Sequence, residues 1–553
     1  MGSYTYPKFN YVAPTDLMAQ PPQRRPLIVI GGGPVGLAAA IDARLQGLDV
    51  LLFDEDDSVS VGSRAVCYAK RTLEVLDRLG VGQPLCDKGV SWNIGRTFRQ
   101  QEEVYQFNLV PDPGHKRPGM INLQQYYLEE ALVNRALELG VDIRWKCQVV
   151  GVTSHNDHAC VCVSSPDGEF EIEADWLVVG DGARSPVRRM LGLDIEGHVF
   201  KDRFLIADVV MKAEFPAERW FWFDPPFHPG QSVLLHKQAD NVWRIDFQLG
   251  WDADPEEEKK PERVLPRLQA MLGDERPFEL EWVSIYTFQC RRMKDFRHKR
   301  LLFVGDAAHQ VSPFGARGAN SGIQDADGLM WKLALVLRGL APQALLDTYN
   351  TERGFAADEN ILNSTRSTDF LTPKTATSRV FRDAALALAR HHPFARKLVN
   401  SGRLSVPSFI TDSSLNTPDV DAFEGNMLPG APMDDAPIHV NGQDAWLIDQ
   451  MGHRFQCLVF VDEVGQLDAA TRHALKALAD EPVPVHAAVV SRHTGAIEGL
   501  PVYVDTQGLF AKRYDAQPGS VWLIRPDQHV CARARRFNSA WLKAALNQAT
   551  CNV

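Results

Sequence analysis

Gly31-Gly32-Gly33-Pro34-Val35-Gly36 stands between an apolar run, LIVI at 27–30, and a helical pattern over 34–47. Few segments restrict a fold as tightly. In a G-x-G-x-x-G turn the first glycine, Gly31, permits a sharp reversal, and the second, Gly33, lets a pyrophosphate approach the backbone. The third, Gly36, lets helix and strand pack closely, and Pro34 pre-sets the first helical turn. The helix N-terminus then offers unpaired N–H groups and the positive end of its dipole to phosphates. VLLFD at 50–54 reads as a second buried strand, completing a β-α-β unit and so the start of a parallel sheet. Asp54 closes that strand, where a carboxylate can accept the hydroxyls of an adenosine ribose. A dinucleotide site follows from these residues, with NAD and FAD both open.

Composition narrows the class. The chain has 553 residues, 45% hydrophobic and 23% charged, as expected of a globular protein of several domains. A net charge of -11 without a dense Lys/Arg block excludes a nucleic-acid partner. No apolar run has the length of a membrane span, and the first 25 residues lack the apolar core of a signal peptide. Nine cysteines without a CxxC pair read as reduced thiols of a cytoplasmic protein, and no metal site is expected.

Residues 1–25 read as an extension lying on or off the surface. Residues 26–200 and 290–405 are assigned to two parts of the dinucleotide-binding domain, the second with long helices. Residues 141–179 alternate and are rich in Val, reading as several strands, and a strand-rich stretch carrying Trp220, Trp222, Trp243 and Phe247 over 201–289 forms a β-rich insert. The Ser-, Asp- and Pro-rich stretch 406–437 reads as a linker, and 438–553 as a small α/β domain.

Two later segments carry more chemistry. DWLVVGDGARSPVR (175–188) places Asp181-Gly182 straight after a hydrophobic strand. LLFVGDAAHQVSPFGARGANSGIQDADGLMWKL (301–333) places Gly305-Asp306 after another, then a glycine-punctuated loop entering a long helix. In this order, the three segments resemble the fingerprints of the single-component, class A FAD-dependent aromatic hydroxylases of the p-hydroxybenzoate hydroxylase fold. The long members of that family, 3-(3-hydroxyphenyl)propionate hydroxylase and phenol hydroxylase, also carry a C-terminal thioredoxin-like domain, which 438–553 resemble.

The resemblance implies an α/β fold: a Rossmann-like FAD-binding domain with an inserted β-rich substrate domain. It implies that the first motif binds the ADP half of FAD and that the Asp181 segment bears on FAD and NAD(P)H. Asp306 would bind the ribityl chain, and Pro313, Gly318, Ala319 and Asn320 would cradle the flavin ring. Arg64 and Gln124 match further FAD contacts. The implied reaction is hydroxylation of a phenolic compound with O2 and NADH or NADPH, through a flavin C4a-hydroperoxide, by a homodimer acting in aromatic catabolism. A halogenase-like flavoenzyme and a non-catalytic flavin redox sensor are the alternatives.

Tyr286, in SIYTFQCRR (284–292), falls where phenol hydroxylase has a substrate-contacting tyrosine. His236, in SVLLH (232–236), is a candidate proton acceptor, and Arg291 and Arg317 are weaker candidates for binding a carboxylate. His309 reads as architectural. Cys457, Cys531 and Cys551 form no CxxC, which argues against a redox role for the C-terminal domain.

Overall fold

A computed structural model describes residues 4–62, 64–110, 112–399 and 404–552. Its centre is a parallel sheet in the order Leu301–Phe303, Gly168–Val179, Arg24–Ile30, Val50–Phe53, Asp142–Arg144. Helices cover it, so the Val50–Phe53 strand is buried throughout, as parallel strands require. The strand Gly168–Val179 does two jobs, and its sequence shows where they change. Its first half alternates exposed and buried residues and pairs antiparallel with Ala159–Ser165; its last four, Trp176–Val179, are all buried and enter the parallel sheet.

The inserted sheet has eight strands: Glu102–Asn108, Ile94–Arg99, Arg219–Phe223, Ser232–Lys237, Val242–Gln248, Glu196–Met211, Phe278–Arg292 and His309–Gln310. It therefore reaches beyond 201–289. The hairpin 94–108 was assigned by sequence to the nucleotide domain, yet it closes this sheet's edge. Its polar residues suit an edge strand and hide the apolar alternation, while Phe98 stacks on Trp222 with centroids 5.1 Å apart. One face of the sheet packs Leu205, Val233, Ile245 and Phe247 against Val264, Leu268 and Leu272 of the helix Pro261–Leu272. The other face looks toward the nucleotide domain.

The C-terminal domain is a mixed sheet, parallel in its three central strands Val502–Val504, Val485–Ser491 and Phe455–Val461, with Val521–Ile524 and Val530–Ala534 antiparallel beside them. That is the expected thioredoxin-like plan. Its core runs on into the long helix Gly318–Leu337, whose Trp331 meets Phe455 edge-on at 5.5 Å. Cys457 and Cys531 are buried there, and burial pushes both thiols up to about 12.

Residues 404–436 hold no helix or strand, as their polar, Pro-rich composition suggests, but they form a packed strap with Ile410, Leu415, Ala431 and Met433 buried. The N-terminal extension is likewise docked. Phe9 stacks on Trp145 at 4.4 Å, and the buried Asp16 carboxylate accepts a bond from Arg144. Among the described residues no helix is long and apolar enough to cross a membrane.

Candidate active site

The three motifs follow three neighbouring parallel strands, Arg24–Ile30, Gly168–Val179 and Leu301–Phe303, so their loops converge at the carboxyl edge of one sheet. This is the crevice where open α/β sheets bind ligands. Gly31 has φ +102°, and a Cβ there would meet the Gly180 carbonyl oxygen at 2.5 Å. A Cβ on Gly36 would lie 1.9 Å from the Gly31 oxygen, so the close approach of helix Pro34–Leu45 to the turn requires glycine. Gly33 is different: among the described residues nothing lies within 4 Å of its would-be Cβ. The space beside it, in front of the helix N-terminus, leaves room for a phosphate group to approach the backbone.

Asp54 accepts N–H bonds from Gly32 and, at 2.8 Å, from Asp56. Burial pushes its carboxyl up to about 6 against those bonds. The loop backbone thus occupies part of the capacity that the sequence reading reserved for ribose hydroxyls. Asp181 accepts the Val187 N–H at 3.0 Å and braces the turn into the short helix Pro186–Met190. Gln124 is buried at the start of helix Gln125–Glu138; its Nε2 donates to the Ala239 oxygen, and its Oε1 has no partner. Open space at Gly33 and an orphaned acceptor at Gln124 fit a large polar ligand such as FAD.

Asp306 is open to solvent yet walled by protein, and that enclosure raises its pKa while His309 and Arg64 oppose the rise. A Cβ on Gly318 would stand 3.8 Å from its Oδ1, so the carboxyl sits beside the first residue of helix Gly318–Leu337. Pro313 is exposed and Ala319 half-buried in the loop that enters this helix. Asn320 accepts the Ala69 N–H at 2.8 Å and donates to the Cys67 oxygen at 2.8 Å, tying the loop to the strand Cys67–Ala69. Phe314 packs on the inserted sheet, 4.9 Å from Phe204 and 5.0 Å from Phe288.

Strand register orders the sheet face opposite this loop. One row across four strands runs Arg219, His236, Arg244, Asp208; the next runs Phe221, Leu234, Asp246, Ile206. Arg244 holds Asp208 with two bonds of 2.8 Å. His236 is buried, its Nδ1 3.6 Å from the Cys67 Sγ and its Nε2 unpartnered. Burial and the two flanking guanidiniums hold its pKa well below the usual range, leaving it neutral. Asp246 has a buried Oδ1 without a partner, and burial with the nearby Asp208 pushes its carboxyl up to about 7 against the pull of Arg244 and Arg219. Asp246, Arg219, Arg244 and Cys67 were not singled out from sequence. Period-two alternation in WRIDFQ was the available signal, but it does not reveal which strands stand beside it.

Tyr286 lies on the same sheet, 38% exposed, its ring 5.8 Å from that of Phe288. Enclosure and the Asp306 carboxylate push its phenol up to about 12, with Arg64 opposing. It also lines a cleft of about 610 Å³ with Arg184, Arg188, Arg189 and Arg291. Arg64 is exposed near Asp306 and Tyr286. Arg317 is instead buried, bonded to Asn360 at 2.6 Å, and His309 is bonded to Asp325 at 2.6 Å, so both serve the architecture.

The family described as the FAD binding domain matches residues 24–364. The chain is 30% identical over 539 residues to 6-methylpretetramide 4-monooxygenase of Streptomyces rimosus, covering 94% of this chain and 92% of that protein. It is 26% identical to a 3-(3-hydroxy-phenyl)propionate/3-hydroxycinnamic acid hydroxylase of Mycobacterium avium, covering 94% and 91%. Among solved structures, the flavin-dependent monooxygenase PieE in complex with FAD and substrate superposes with a TM-score of 0.80 at 22% identity, over 96% of this chain and 99% of that one. With the three sequence motifs gathered at one sheet edge and this family spanning most of the chain, the protein belongs to the FAD-binding flavin-dependent monooxygenases.

Proposed function

We propose that this protein hydroxylates a phenolic aromatic ring, using FAD, O2 and NADH or NADPH. The observation that carries the reading is Asp246: a carboxyl with an unpartnered buried oxygen, on the sheet face opposite the loop 313–320. When bound, FAD would accept a hydride from the nicotinamide and, once reduced, activate O2 for transfer of one oxygen atom. The chain's residues do the rest. Gly33 and the N-terminus of helix Pro34–Leu45 would hold the pyrophosphate, Asp306 would accept ribityl hydroxyls, and Gln124 Oε1 would accept a further donor. The loop 313–320 presents backbone N–H groups to the flavin ring.

A phenol has a reference pKa near ~10, so its ring is poorly activated at neutral pH unless its proton is shared. Asp246, about 7, is the better matched acceptor. The sequence reading favoured His236, but with Arg219 and Arg244 on either side it resists a third positive charge. Its role here is to fill the row beside Asp246. Tyr286 donates its O–H to the substrate and orients it. The core phenylalanines Phe204, Phe221 and Phe288 back this sheet face with dry apolar packing. The arginines of the 610 Å³ cleft suit the phosphates of NAD(P)H, docking transiently.

The relatives bear names for a single-ring hydroxyphenylpropionate and for a fused-ring pretetramide. A panel spanning both phenol classes tests the proposal. One class should stimulate NAD(P)H oxidation by the FAD-loaded protein and yield a hydroxylated product. No stimulation, or stimulation without product, by every member would count against it.

A further inference from the structure

The hairpin between Gln148–Ser154 and Ala159–Ser165 carries His155-Asn156-Asp157-His158-Ala159-Cys160. Its turn gathers one donor atom each from His155, His158 and Cys160, all within 4.8 Å of one another. We propose that these three side chains bind a zinc-class transition-metal ion, with Glu173 or water as fourth ligand. A scan for CxxC spacing passes over this set, because its single thiol is joined by two imidazoles.

The donor set fits the chemistry. Two imidazoles and a thiolate are ligands for borderline ions of the zinc and cobalt type, which favour a tetrahedral site. With metal–ligand bonds of about 2.0–2.3 Å, tetrahedral donors stand roughly 3.3–3.8 Å apart, so about 1 Å of side-chain movement closes the site. The backbone is already in place. The His155 N–H donates to the His158 oxygen at 2.8 Å, and the flanking register pairs Ser154 with Ala159 and Thr153 with Cys160. The two imidazoles stack with centroids 4.5 Å apart, so one ring turns about its χ2 as the site closes.

A carboxylate stands behind one ligand. Asp157 Oδ1 is 2.8 Å from His158 Nδ1, which places the ring proton on Nδ1 and leaves Nε2 to bind metal; such carboxylate–histidine–metal relays orient many sites. Nε2 lies 3.9 Å from Glu173 Oε1, and Glu173 is the direct cross-strand neighbour of Cys160. Arg24 pairs with Asp157 and Asp175 and keeps the local charge near balance before metal enters. Binding replaces the Cys160 S–H bond by a metal–sulfur bond and releases the proton to solvent, with no change of oxidation state. The ion would clip the hairpin to the strand that runs into Asp181, remote from the substrate face, so the site is structural.

The test uses the full-length, tag-free, FAD-loaded protein, dialysed with zinc under reducing conditions. Expected are one zinc per chain and an X-ray absorption spectrum with one sulfur neighbour near ~2.3 Å beside nitrogen and oxygen neighbours. Cys160→Ser and His158→Ala should lower affinity by more than tenfold, and Asp157→Asn by roughly 10–100-fold. Flavin content should be unchanged in all three, which shows that they fold. No retained zinc in the parent protein, or zinc retained equally by folded Cys160→Ser and His158→Ala, overturns the proposal.

Discussion

Arg525 of the C-terminal domain grips Glu352, on the helix Ala344–Leu371, with two bonds of 2.6 and 3.0 Å, both side chains buried. Lys332 reaches the same carboxylate at 2.6 Å, and Asp527 balances Arg525. Four charges are thus neutralised at a junction that also takes in Arg71, which bonds to Gln528 and to the Asp527 oxygen at 2.7 Å each. The C-terminal domain is built onto the helix that the loop 313–320 enters and onto the helix after it.

Removing one member of such a network leaves buried charge behind. Glu352→Gln should lower unfolding free energy by about 3–5 kcal/mol, read by denaturant titration. Burial alone would raise the Glu352 pKa, but Arg525 and Lys332 hold it at about 2. A depressed pKa gives stability that is present above the unfolded value near ~4.5 and is lost as pH falls toward 2. The gap between parent and variant should therefore close over that window; a gap independent of pH contradicts the assignment.

Two glycines of one turn should respond differently. Gly36→Ala puts a methyl 1.9 Å from the Gly31 oxygen and should destabilise the fold itself, by about 1–3 kcal/mol or more. Gly33→Val meets no protein atom within 4 Å at its Cβ, so the chain should fold with near-parental stability yet purify without flavin. A yellow, FAD-replete Gly33→Val protein would remove the pyrophosphate from this position.

Tyr286→Phe deletes one hydroxyl and keeps the ring. Flavin binding and its reduction should persist, while product formed per NAD(P)H consumed falls and H2O2 rises. Loss of one hydrogen bond to the developing phenolate costs about 1.5–3 kcal/mol, on the order of 10–100-fold in the affected step. Full coupling in the variant would mean that this hydroxyl does not touch the substrate.

Asp246→Asn tests the acceptor. In the parent, coupling should improve as pH rises through about 7 and the carboxylate forms; the variant should lose that rise. Stability has the opposite sign. A raised pKa means that folding favours the protonated form, so Asp246 costs stability as pH climbs from near ~4 to about 7. Asp246→Asn should gain on the parent at pH 8 and match it near pH 4. Identical pH profiles for coupling would return the role to His236.

The three loops at the carboxyl edge of the parallel sheet were legible in sequence because each motif is local: strand, turn and helix follow one another within a dozen residues, and Gly31, Gly36 and Asp306 need no distant partner to be recognised. The face of the inserted sheet was not. Asp246 matters because Leu234 and Ile206 flank it, and those neighbours come from strands whose order the sequence leaves unstated. The hairpin 94–108 was misassigned for the same reason, since an edge strand is recognised by the strand beside it. Tyr286 was found through resemblance, while its closeness to Asp306 and Arg64 emerged only from the folded chain.

Isotope labelling addresses the central claim most directly. FAD-loaded protein should be given NADH or NADPH, the phenol that best stimulates oxidation, and ¹⁸O2 in unlabelled water, with product mass measured against cofactor consumed. The account predicts one ¹⁸O atom in a new ring hydroxyl for each nicotinamide oxidised. Product carrying oxygen from water, or nicotinamide consumed entirely to H2O2 with the phenol unchanged, would contradict it.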